Sequence, residues 1–146
     1  MEKIKLTKYS PILLRYGMTI VILWFSLQQF IHNDMWVAYI PDSVVNLTHI
    51  SAITLVYFNA FFEAVFGMML LLGWKTKWVA LLLALHLFDI MYTVGYGEIG
   101  VRDFGLAIAT LAIFMNGSDM LCLDYKNNPV AMAQGETTLP IKRIIG

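Results

Sequence analysis

The chain contains few charged residues. Lys, Arg, Asp and Glu together make up 14% of its 146 residues, and 59% of the residues are hydrophobic. Soluble domains carry about 25% charged residues, and the mean hydropathy here is +0.68. The formal net charge is zero, so there is no basic surface of the kind that binds nucleic acid. This composition predicts an integral membrane protein with lipids, and no nucleic acid, among its partners.

Cysteine is nearly absent as well, because Cys122 is the only one in the sequence. An intramolecular disulfide and a C-x-x-C motif are therefore excluded, which removes dithiol exchange within the chain but leaves a mixed disulfide with a partner open. The sequence also lacks a Gly-rich phosphate loop and a nucleotide fingerprint. Its three histidines do not follow a metal-ligand spacing. We predict no metal site and no intrinsic cofactor.

Long apolar runs dominate what remains. They cover residues 11–31, 51–72, 78–96 and 101–117, and each is long enough to cross about 30 Å of hydrocarbon as a helix. Lipid offers no partner to backbone polar groups, so each run must be helical. Short turns join the last three runs. The sequence predicts an all-α, four-helix up-down bundle over residues 1–118, with an outer loop at 32–50 and a tail at 119–146.

The distribution of lysine and arginine sets the expected orientation. Basic residues lie before and early in the first run, in the turn after the second run and in the tail, whereas the loop 32–50 has none. The positive-inside rule therefore predicts a multi-pass protein of the cell membrane with both termini and the tail in the cytoplasm. The loop contains Trp36 and Tyr39 and is expected to lie over the outer end as a lid, or simply to anchor it in the headgroup layer.

Polar side chains recur at helical spacing inside the apolar runs. The sets are Arg15, Thr19, Ser26 and Gln29; Asn59, Glu63 and Gly67; His86, Asp89 and Thr93; and the pair Arg102 and Asp103. An acid at a helix centre costs about 2.5–3.5 kcal/mol on insertion scales. Such residues normally face the interior of a bundle and serve function there. Structural pairing between helices is the alternative interpretation.

Glu63 and His86 both fall near the middle of their runs. Glu63 lies about 18 Å from the outer end of its run at about 1.5 Å per residue. The sequence predicts an outward-facing polar cavity with Glu63, His86 and Asp89 as catalytic residues. The ligand-binding candidates are Arg15, Gln29, Asn59, Arg102 and Asp103. Among them Arg15 lies toward the inner end and is expected to reach Glu63 only in part.

Several short motifs occur in a fixed order along the chain. They are Arg15-Tyr-Gly17, Leu23-Trp-Phe-Ser26 with Gln29-Phe30, Trp36-x-x-Tyr39-Ile40-Pro41, Glu63, Leu71-Leu-Gly73, Leu85-His86-Leu87 and Val101-Arg102-Asp103-x-Gly105-Leu106. With these motifs the stretch from Arg15 to about Gly117 resembles the DoxX family of small four-helix membrane proteins. That family includes the DoxD-type subunit of thiosulfate:quinone oxidoreductase, which works with a DoxA-type subunit.

The resemblance implies a role in membrane redox chemistry. The fold is similar to that of disulfide-generating quinone reductases, but the cysteines which those enzymes need are missing here, so quinone binding is the property that the resemblance transfers. We therefore expect a quinone-linked oxidoreductase subunit that takes electrons from a partner or an external donor. The alternatives are a non-catalytic subunit of a larger membrane or redox complex, and a membrane protein that binds lipids or small molecules.

Overall fold

A computed structural model describes residues 3–126, with side chains for residues 8–125. The described part is entirely helical, as the sequence predicts. Its helices are α1 (Lys3–Ile31), α2 (Asn33–Val37), α3 (Asp42–Thr48), α4 (Ala52–Leu72), α5 (Thr76–Val94), α6 (Glu98–Asn116) and α7 (Leu123–Lys126). Most of the predicted tail, residues 127–146, lies outside the described residues.

Three helices of the described part are long and apolar enough to cross a membrane. They cover Lys8–Ile31, Ala52–Leu72 and Thr76–Val94, and they correspond to the first three predicted runs. α1 begins earlier than predicted, so that Pro11 lies inside the helix. α6 has 19 residues but is not one of these three helices.

The four long helices pack as two close pairs. α1 lies against α4 and α5 lies against α6, while contacts between the pairs are sparser. Gly67 allows the close approach of α1 and α4, because a Cβ atom there would lie 2.9 Å from Leu23 Cδ2. A buried apolar cluster then joins the two pairs. Its members are Met18, Ile22, Leu70, Val79, Ala80, Leu83 and Ile113.

Two short segments lie at opposite ends of these helices. The segment with α2 and α3 lies beside the C-terminus of α1, where Phe25 and Trp36 contact edge to face with ring centroids 5.8 Å apart. We call this the α2–α3 end. The segment of residues 119–124 lies at the other end, against the turn between α4 and α5, and Asp124 N–H donates to Gly73 O at 3.1 Å. We call this the Asp119 end.

The turn between α4 and α5 depends on this second segment. Gly73 ends α4 with a φ of +67°, a conformation that favours glycine. The backbone N–H groups of Lys75 and Thr76 donate to the Asp124 carboxylate at 2.8 and 2.6 Å, which caps the start of α5. Residues 119–126, predicted as the start of a tail, are thus packed against the helices.

Candidate functional site

A cavity of about 310 Å³ lies between the two helix pairs near the α2–α3 end. This volume falls at the lower end of the range for small-molecule sites, about 300–1,000 Å³. Most of its wall is apolar and comes from all four long helices, with Trp36, Tyr39 and Val44 contributed by the α2–α3 segment. The polar lining residues are Gln29, Asn59, Glu63, His86, Asp89, Thr93, Arg102 and Asp103. We call this space the interhelical cavity.

A chain of hydrogen bonds fixes one side of the Glu63 carboxylate. Asn59 Nδ2 donates to Gln29 Oε1, and Gln29 Nε2 donates to Glu63 Oε2, both at 2.7 Å. Glu63 itself is buried, with a relative exposure of 4%. The helical register explains the arrangement: Asn59 and Glu63 are one turn apart on α4 and both face Gln29 on α1. Gln29 therefore orients the carboxylate while its own amide is oriented by Asn59.

The other carboxylate oxygen of Glu63 faces His86 on α5. His86 Nε2 lies 3.9 Å from Glu63 Oε1, which is too long for a direct hydrogen bond. Nε2 is buried and has no hydrogen-bond partner among the described residues. The ring is held by Phe62, with ring centroids 4.4 Å apart. Since a buried polar atom without a partner is costly, this nitrogen is a strong candidate for contact with a ligand.

A second polar group lies on α6, one turn from its start. Arg102 Nε donates to Asp103 Oδ1 at 2.7 Å, and the guanidinium lies over the Phe25 ring, 4.3 Å from the centroid. The Asp103 side chain is buried, whereas Arg102 is partly exposed. Both residues line the cavity, as does the exposed Asp89. The cavity thus offers three carboxyl groups, an imidazole and a cation within apolar walls.

Arg15 is the predicted site residue that does not line this cavity. It lies at the Asp119 end, where its Nε donates to Asp119 Oδ2 at 2.7 Å. Its Nη1 donates to the carbonyl oxygens of Leu70 and Leu71 at 2.9 and 2.7 Å. The prediction that Arg15 reaches partly toward Glu63 is therefore wrong, because its guanidinium is bound at the Asp119 end. The physical reason is that a nearby carboxylate and the free carbonyls ending α4 satisfy the guanidinium.

Asp119 and Asp124 are the polar residues that sequence reasoning missed, since both were assigned to the tail. The sequence held one signal for Asp119: an acidic residue that closely follows an apolar helix can pair with a buried arginine at the same predicted depth, here Arg15. Asp119 has a folded-state pKa below its ordinary value. Burial alone would raise that pKa, but the hydrogen bonds from Arg15 and from the Leu121 N–H outweigh the burial.

Metal binding finds no support in residues 3–126, where no group of three or more His, Cys, Asp and Glu side chains is arranged to hold an ion. The buried atoms around Glu63 and His86 are suited instead to hydrogen bonding and to holding a proton.

Comparison with known proteins assigns the chain to a family. No curated protein and no solved structure matches the chain. A family model described as DoxX matches residues 10–96, which include all of α4 and α5 and most of α1. Six of the eight polar lining residues of the interhelical cavity fall within this match, and only Arg102 and Asp103 lie outside it. Because the match covers more than half of the 146 residues, the chain belongs to the DoxX family.

Proposed function

We propose that the chain is a multi-pass protein of the cell membrane in which α6 forms a fourth crossing beside the three apolar helices. The connection through Asp124 supports this proposal, because it brings the segment after α6 to the turn between α4 and α5. α6 starts just after α5 ends, so it runs back along the bundle. Its 19 residues extend roughly 28 Å, close to the thickness of the hydrocarbon core.

The proposed orientation places the Asp119 end and both termini in the cytoplasm. Lys75 and Lys77 lie in and beside the turn at that end. The α2–α3 segment carries no lysine or arginine and would face outward, with the mouth of the interhelical cavity under it. The positive-inside rule supports this assignment.

For its activity, we propose that the protein is a quinone-linked oxidoreductase subunit and that the interhelical cavity receives the quinone ring. The single observation that carries this proposal is the buried His86 Nε2 beside Glu63, which has no hydrogen-bond partner in the part of the chain that the structure describes. A quinone has an apolar ring with polar oxygen atoms on opposite edges. The cavity likewise has apolar walls with His86 at one polar position and Arg102 at another.

In this proposal the residues bind, orient and protonate. His86 contacts one ring oxygen, Arg102 contacts the ring or its second oxygen, and Gln29 holds Glu63 in place. A bound quinone supplies an acceptor for two electrons and two protons, the electrons coming from a partner subunit or a soluble reductant. Glu63 and His86 can pass protons to the ring oxygen, while Asp89 lies on the cavity wall as a further proton-exchanging group.

Fluorescence quenching tests the proposal, because quinones quench tryptophan and Trp36 lines the cavity. Titrating purified protein in nanodiscs with an alkyl-para-benzoquinone should give saturable quenching. Trp36→Phe should remove that saturable component, whereas Trp74→Phe, at the Asp119 end, should keep it. His86→Phe preserves the ring contact with Phe62 and should weaken binding about 3–10-fold, the loss of one hydrogen bond.

Quenching that never saturates, or that is unchanged in Trp36→Phe, would reject the cavity as a quinone site. That result would favour the alternative, in which the protein is a non-catalytic subunit of a larger membrane or redox complex. Purification in mild detergent followed by native mass spectrometry then shows whether a partner subunit is retained.

A further inference from the structure

The gap between Glu63 and His86 indicates what kind of oxygen atom the cavity takes. Glu63 Oε1 and His86 Nε2 face each other at 3.9 Å, and Nε2 has no partner among the described residues. An oxygen atom about 2.8 Å from both atoms would see them at an angle of roughly 90°, within the broad range of hydrogen-bond geometry. One ligand oxygen can therefore bridge the two side chains.

The carboxylate is held so that this gap stays open. Gln29 Nε2 donates to Glu63 Oε2, which leaves Oε1 as the oxygen nearest to His86. Phe62 lies against the imidazole ring, with ring centroids 4.4 Å apart, and restricts its movement. The two facing atoms belong to different helix pairs, whose packing against each other is sparse.

The chemistry of the two atoms favours a ligand that both donates and accepts. When one proton is shared between them, one atom donates and the other accepts, whichever of the two carries the proton. A hydroxyl group matches both situations, because it has one donor and two acceptor sites. A carbonyl oxygen only accepts, so it would leave one facing acceptor unpaired in the buried gap at a cost.

We propose that the bridging position between Glu63 and His86 is a binding site for the hydroxyl group of an apolar aromatic alcohol, that is, for the phenolic or reduced form of the ring. This inference rests on the proposed function and deepens it. It implies that the cavity binds the quinol more tightly than the quinone. The hydroxyl donates to or accepts from Glu63 Oε1 and makes the complementary hydrogen bond with His86 Nε2.

Three ligands with the same alkyl chain separate the possibilities. They are para-nonylphenol, its methyl ether para-nonylanisole, and nonyl-para-benzoquinone. The phenol and the ether are redox-inert and differ in one hydroxyl proton. Isothermal titration calorimetry in nanodiscs, with empty nanodiscs subtracted, removes the contribution of partition into lipid.

We expect the phenol to bind at least about 10-fold more tightly than the ether, because the ether oxygen can only accept and leaves one facing acceptor unpaired in the buried gap, at a cost of about 1–3 kcal/mol. Glu63→Met removes the polar atom that faces His86 and should reduce this ratio below about 3-fold. His86→Phe should do the same and serves as the independent variant if Glu63→Met does not fold. Tyr92→Phe, at an exposed position of α5 outside the cavity lining, should leave the ratio unchanged.

Two results would overturn the inference. If the quinone binds saturably but the phenol and the ether bind equally, water or no ligand fills the gap, and the proposed function stands without the hydroxyl site. If the phenol preference survives both Glu63→Met and His86→Phe, the hydroxyl is recognised elsewhere. Failure of all three ligands to bind rejects the proposed function along with the inference.

Discussion

Arg15 and Glu63 are both buried ionisable side chains in membrane-spanning helices, yet their hydrogen bonding differs. Arg15 donates to Asp119 and to two backbone carbonyls, so its donors are almost fully used. Glu63 receives a hydrogen bond from Gln29, and its nearest cation candidate is 3.9 Å away. A saturated group has little capacity left for a ligand. We therefore assign Arg15 to stability and Glu63 to the candidate site.

The Arg15–Asp119 pair leads to a prediction on stability. Arg15→Met leaves the buried Asp119 carboxylate without its partner and should cost about 3–5 kcal/mol. Arg15→Lys should be intermediate, because an ammonium group lacks the planar fork that reaches a carboxylate and carbonyls together. Thermal unfolding in detergent measures both changes.

The control for this prediction is the double variant Arg15→Met with Asp119→Leu. Removing both charges should recover much of the loss, since no uncompensated charge remains. Equal destabilisation by the double variant and by Arg15→Met would show that the contacts of Arg15 with Leu70 and Leu71 carry the energy instead.

The pH dependence of stability should also depend on Asp119. Its pKa in the folded protein lies below the ordinary value of 3.8, because hydrogen bonds from Arg15 and Leu121 N–H outweigh the opposing effect of burial. The resulting stabilisation is complete above the ordinary pKa and is lost as the pH falls through the lower, folded-state value. Melting temperatures from neutral pH to about pH 2 should decline at the acidic end.

Asp119→Asn removes this titration. The variant should melt lower than the wild type at neutral pH and should approach it at the acidic end. Parallel profiles of the two proteins would assign the acidic decline to other carboxylates.

Residues of the candidate site could be predicted from sequence where one helix supplies the pattern. Gln29 and Glu63 each stand out, because helical spacing and an apolar surrounding identify an inward-facing polar residue. The pairing of Arg15 with Asp119 joins residues separated by 104 positions. No periodicity relates them, and the intervening turns decide which arginine meets which acid.

At the scale of elements, the turn from α4 to α5 is more constrained than its length suggests. Gly73 combines a positive φ with a close contact: a Cβ atom there would lie 2.5 Å from Cys122 Cα. Backbone cannot move aside as a flexible side chain can. This contact ties the Asp119 end to the helix pair that carries Glu63.

Gly73→Ala should therefore destabilise the protein by more than the roughly 1 kcal/mol cost of a left-handed conformation alone. Gly105→Ala on α6 is the matched control. A Cβ atom at Gly105 meets nothing within 4 Å, so alanine there should be neutral or stabilise by up to about 1 kcal/mol. Thermal unfolding of both variants under one condition decides the matter, and equal effects would contradict this account of the turn.

The helices themselves were predictable because lipid leaves the backbone few alternatives. Predicted and observed boundaries differ by at most three residues, except at the start of α1. The short helices α2 and α3 were not predicted: residues 32–50 were interpreted only as an aromatic loop that forms a lid or anchors in the headgroup layer. The apolar residues of this segment do not recur at a helical spacing over a long stretch. The position of the segment over the cavity depends instead on contacts such as that of Trp36 with Phe25.

At the scale of the whole molecule, two close helix pairs enclose a cavity at one end and an apolar cluster nearer the other. Packing alone would bring the pairs together along their full length. The polar groups of Glu63, His86 and Arg102 lie where the pairs separate, whereas Leu70 and Leu83 fill the space nearer the Asp119 end. The cavity lies near the α2–α3 end, and its use depends on which side of the membrane that end faces.

Cysteine labelling of intact cells tests this orientation, because the native Cys122 is buried. Single substitutions at exposed positions report the two ends: Leu47→Cys and Tyr96→Cys at the α2–α3 end, Trp74→Cys and Leu121→Cys at the Asp119 end. A membrane-impermeant maleimide should label the first two in intact cells and the other two only after permeabilisation. The unsubstituted protein is the control for background labelling of Cys122.

Each other pattern has a distinct meaning. If only Trp74→Cys and Leu121→Cys were labelled in intact cells, the topology would be the reverse of the proposed one, and the α2–α3 end with its cavity would face the cytoplasm. If Leu121→Cys were labelled together with Tyr96→Cys while Trp74→Cys stayed protected, α6 would not cross the membrane. That last result would also contradict the hydrogen bonds of Asp124 to the start of α5, because these require residues 74 and 121 to be on the same side.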